Sequence, residues 1–78
     1  MNNKYHVKHK MLFEAALTHY RAQQAEAKAH LDLCFNSPIA IGEHTDLLAE
    51  VKKWTTQLAA AEEDLATLQR NFDIVALI

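Results

Sequence analysis

Seventy-eight residues hold one glycine, one proline and one cysteine. So little turn chemistry excludes a sheet protein built from many short strands. Pro38 and Gly42 stand close together, which predicts two long elements and a single interruption. A lone cysteine makes no internal disulfide, so nothing points to an oxidising compartment. No apolar run approaches the roughly 20 residues that span a bilayer. The opening Met-Asn-Asn-Lys-Tyr-His lacks the apolar core of a signal peptide. The expectation is a soluble, cytoplasmic chain with no membrane partner. Also lacking are a phosphate-cradling glycine loop, a pair of metal-binding Cys-x-x-Cys knuckles and a helix-turn-helix pattern.

What is present is apolar and weakly charged. Half the residues are hydrophobic, 23% are charged and the net charge is −2. Such a chain is not disordered by composition, and it has no general attraction for nucleic acid. Residues 1–39 carry five Lys/Arg against three Asp/Glu, while residues 40–78 carry three against seven. The halves therefore bear +2 and −4, as expected of helices that attract each other.

Two apolar stripes have the same step. Phe13, Leu17, Tyr20, Gln24, Ala27, Leu31 and Cys34 form one. Leu47, Val51, Trp54, Leu58, Ala61, Leu65, Leu68 and Phe72 form the other. Both advance 4-3-4-3, the seam of a helix packed lengthwise on another. Folded head to foot, the stripes place Trp54 opposite Ala27 and Tyr20 opposite Ala61, large against small. The predicted fold is all-α: one antiparallel two-helix coiled-coil hairpin covering residues 1–78. Helix 1 is expected over about 8–34, a turn over 35–44, helix 2 over about 45–71 and an apolar tail over 72–78. Thr45 is the expected N-cap of helix 2, with Asp46 its close rival. Ile39 and Ile41 are expected to fold over the hairpin end. The N–H of Trp54 and the hydroxyl of Tyr20 are expected to reach the solvent edge. Lys10 is expected to approach Phe72.

Histidine supplies the only candidate chemistry in quantity. On a helix, His6 would share a face with His9, and His30 with Cys34, but neither pair has further ligands in sequence. Cys34 fits the apolar seam, and a two-helix hairpin has no deep pocket for nucleophilic catalysis. His19 and His30 read as a solvated face. No catalytic, metal or cofactor-binding residues are assigned, and the expectation is a non-enzyme.

Apolar side chains off the seam suggest association. Two hairpins packing them together would make a four-helix bundle, most simply as a two-fold homodimer. The candidate interaction surface comprises Met11, Leu12, Ala15, Ala16, Glu43, His44, Ile74, Val75, Leu77 and Ile78. Its last members belong to a tail that should be covered, by the hairpin or by a neighbouring subunit.

The stretch Asn36-Ser-Pro-Ile-Ala-Ile-Gly-Glu-His-Thr-Asp-Leu-Leu48 joins two Ala/Leu-rich helices. Through its Ile41-Gly42-Glu43-His44 turn it resembles small uncharacterised helical proteins of tailed bacteriophages. The resemblance covers residues 12–72. It implies an accessory factor that acts in the host-cell cytoplasm on a host or virion protein, without a known reaction. The alternative reading is a binding module for an anionic ligand at an oligomer interface, using His44 and the N-terminal lysines.

Overall fold

The computed structural model describes residues 4–42 and 46–74. In order, the elements are strand β1 (Tyr5–Val7), helix α1 (Lys10–Asn36), a 3₁₀ turn (Pro38–Ile41), helix α2 (Leu47–Asn71) and strand β2 (Phe72–Ile74). The helices fold back on each other as a hairpin, and the molecule is a rod of 56 × 20 × 15 Å.

Both helices form because good helix formers fill them and neither contains glycine or proline. The first begins at Lys10, two residues later than the periodicity predicts, because His9 acts as its N-cap. The His9 Nδ1 accepts the Leu12 N–H at 3.2 Å. It ends at Asn36 rather than near Cys34. Ser37, which precedes Pro38, leaves helical geometry at φ −146° and ψ 58°. Its N–H still donates to the Leu33 carbonyl at 2.9 Å, closing the last turn. Gly42 follows the 3₁₀ turn with φ 116°, where a side chain would be strained.

The second helix is capped by Asp46, not Thr45. Asp46 Oδ1 accepts the Ala49 N–H at 3.0 Å, and a carboxylate suits the positive end of the helix dipole. Thr45 lies outside the described residues. At the far end Arg70 donates to Thr67 one turn back at 3.4 Å and pairs with Glu63 two turns back at 3.7 Å. Both ion-pair partners are largely exposed, so this pair adds little stability.

The core is thin and follows the two stripes. Its buried members are Leu17, Ala27, Cys34, Trp54 and Ala61, every one a stripe position. The remaining stripe residues are half-buried, except Leu47 and Phe72 at the seam's two extremes. Ala27 is completely buried and Ala61 nearly so, as expected of small residues that admit large partners. Gln24 is half-buried on the seam, and no buried side-chain polar atom among the described residues lacks a hydrogen bond.

Two expectations about the hairpin's ends need correction. Ile39 does not plug the seam: it is 91% exposed, and only Ile41 is half-buried. The apolar tail also begins as a strand. Phe72–Ile74 pairs in parallel with Tyr5–Val7, in the register Tyr5↔Phe72, His6↔Asp73, Val7↔Ile74. The ring of Phe72 therefore sits 5.8 Å from that of Tyr5. No residue separates α2 from β2, so the bend at Lys8 makes the reversal that lets the strands run in the same direction.

Candidate interaction surface

Two places on the rod combine apolar surface with a defined shape. The first is at the ribbon end. There the strands, the start of α1 and the end of α2 enclose an open groove of about 340 Å³. Val7, Leu12, Phe13, Leu68 and Phe72 supply its apolar lining, and His9 borders it. The local sequence dictates this. His9 is committed to capping α1, so the chain bends just before the helix and leaves Val7 and Leu12 on the two flanks of the bend. Leu12 remains 64% exposed within it.

The second lies on the outer face of α1. Met11, Ala15, Thr18 and Ala22 line an open groove of about 600 Å³, flanked by Lys10, Glu14 and His19. Met11 is 81% exposed, the most exposed large hydrophobic side chain on either long helix among the described residues. The small residues behind it make the groove, since alanine leaves the helix backbone uncovered.

Of the expected surface, Met11, Leu12 and Ala15 are exposed on the first two turns of α1, and Ala16 is half-buried beside them. Ile74 is half-buried in β2, paired with Val7. Glu43, His44, Val75, Leu77 and Ile78 lie outside the described residues, and with them the proposed anion-binding turn.

One aromatic cluster was not expected. His30 is half-buried and stacks flat on Trp54, with ring centroids 3.8 Å apart and planes 2° from parallel. The Trp54 Nε1–H donates to Glu50 Oε2 at 3.0 Å instead of reaching water. Lys53 Nζ lies 4.8 Å from the centroid of the same ring. The signal was available in the sequence. His30 stands one turn after Ala27, so a helix that puts Trp54 against Ala27 puts residue 30 at the indole's edge or face. His19, by contrast, is exposed as expected and meets Tyr20 edge-on at 5.2 Å. The cluster is a packing device: Glu50 holds the indole N–H, and His30 and Lys53 cover the ring.

In comparison with known proteins, no family model matches the chain, and no curated protein or solved structure matches it.

Proposed function

We propose that this chain is a structural or protein-interaction protein without catalytic activity, and that its first partner is another copy of itself. The hairpin is read as a short antiparallel coiled coil, and two hairpins assemble four helices. One observation carries this reading: the contrast between a core of five buried side chains and the large apolar groups left in solvent. Tyr5, Met11, Leu12, Phe35, Ile39 and Leu48 are each more than 60% exposed. Tyr5, Met11 and Leu12 belong to the ribbon end of the rod and Phe35, Ile39 and Leu48 to its turn end, and apolar groups left exposed together mark association sites on soluble domains. A hairpin of this size also buries too little surface to be well supported alone.

The resemblance to phage proteins adds a second tier of partner, a host or virion protein, met in the host-cell cytoplasm. Sedimentation velocity at micromolar concentration tests the first tier. The expected species has twice the 8.9 kDa chain mass and survives about 0.5 M salt, because apolar contacts are not screened. A monomer throughout that concentration range rejects self-association.

A further inference from the structure

We infer that copies of the chain join end to end, the turn end of one docking on the ribbon end of the next. This rests on the self-association just proposed and gives it a direction. Among the described residues, every exposed large apolar side chain lies at residues 5–12, 33–48 or 72, which are the two ends of the rod. Residues 13–32 of α1 and 49–71 of α2 expose none. Rods lying side by side therefore cover mostly polar or small groups, whereas rods meeting at their ends cover the apolar ones. The ends also differ in form. Ile39, on the 3₁₀ turn, is almost wholly exposed, and Phe35 and Leu48 are exposed on the adjoining helix ends. The ribbon end instead presents an open apolar groove of about 340 Å³ over Leu12 and Phe72. An apolar knob at one end thus has an apolar groove to enter at the other. Both patches reach about one turn back from the tips, so the ends overlap rather than merely abut.

Charge selects which end meets which. Within one helical turn of the ribbon end, residues 4–13 and 68–74 carry Lys4, Lys8, Lys10 and Arg70 against Asp73, four against one, or +3 with histidines neutral. At the turn end no lysine or arginine occurs between Lys28 and Lys52, and the described acids within one turn are Asp46 and Glu50, or −2. Ribbon against ribbon and turn against turn each set like charges together. Ribbon against turn alone sets opposite charges together, which fixes orientation while the apolar contact supplies affinity. Such a contact is heterologous: a joined pair keeps one free end of each kind, so association does not stop at two copies.

Sedimentation equilibrium of the full chain over a concentration series tests this, with far-UV circular dichroism to check folding. The weight-average mass is expected to pass twice the chain mass and keep rising with concentration. Ile39→Lys sets a cation against the cationic end of the next copy, and Leu12→Glu sets an acid against the acidic end. Each is expected to weaken association by at least about tenfold with helicity unchanged, since both positions are exposed. Mixing the two variants is expected to restore association, because the native ribbon end of the first meets the native turn end of the second. Ala59→Glu, exposed in the middle of α2, is expected to change nothing. A wild-type monomer overturns self-association altogether. A mass that levels off at twice the chain mass leaves self-association standing and overturns the end-to-end contact. Failure of the mixture to recover, or an equal loss from Ala59→Glu, also overturns it.

Discussion

Trp54 concentrates the energetics of the hairpin in one side chain. It is 7% exposed, its ring lies flat on His30 of the other helix, and its N–H is held by Glu50. Trp54→Ala removes a large buried ring from a thin seam that has little else to fill the gap. The expected loss is about 3–5 kcal/mol, read from urea unfolding. His30→Ala removes only the stack and is expected to cost about 0.5–1.5 kcal/mol beyond lost area. Ala61, 1% exposed, tests the opposite limit: Ala61→Leu overpacks its site and should destabilise by about 1–3 kcal/mol. The buried stripe residues were legible in sequence because the 4-3 repeat specifies which positions face inward. The role of His30 was not, because periodicity assigns a flanking position to solvent unless the size of its cross-helix neighbour is also considered.

At the scale of elements, the helices follow from local chemistry and the strands do not. Asp46 before Leu47 is a start signal, and its capping bond to Ala49 is observed. Asp46→Ala should cost about 0.5–2 kcal/mol, measured by thermal unfolding, and should fray the first turn of α2. His9 as a cap and the start at Lys10 are not legible in the sequence, because no glycine or proline separates Lys8 from the helix that follows. The terminal strands were missed for a different reason. Three residues are too few to display a period of two, and Tyr5–Val7 meets Phe72–Ile74 from the other end of the chain. A ladder of three pairs with little covering it is weak. Amide hydrogen exchange should accordingly be fast at His6 and Asp73 and slowest around Ala27, Trp54 and Ala61.

For the molecule as a whole, the hairpin was legible because matched stripes leave few ways to bury both. The surface was less so. Met11, Leu12 and Ala15 are exposed as expected, but stripe arithmetic alone did not reveal the groove at the ribbon end. That groove exists only because the chain bends at Lys8 and the strands pair. A rod this narrow has no interior beyond its seam, so any partner must be recognised along its length or at its ends. Leu48→Glu puts a charge among the exposed apolar groups that argue for self-association, and should leave stability within error in urea unfolding while lowering the dimer fraction in sedimentation. Leu48 is already 63% exposed on α2.

The direction of the ribbon also governs how the rod responds to load. Because β1 and β2 run the same way, tension applied at residues 5 and 74 pulls the two strands along their own axes in opposite senses. The bonds of the ladder are then strained together, in shear. Antiparallel ends would have peeled open one bond at a time, so even this short clasp resists stretching more than its length suggests.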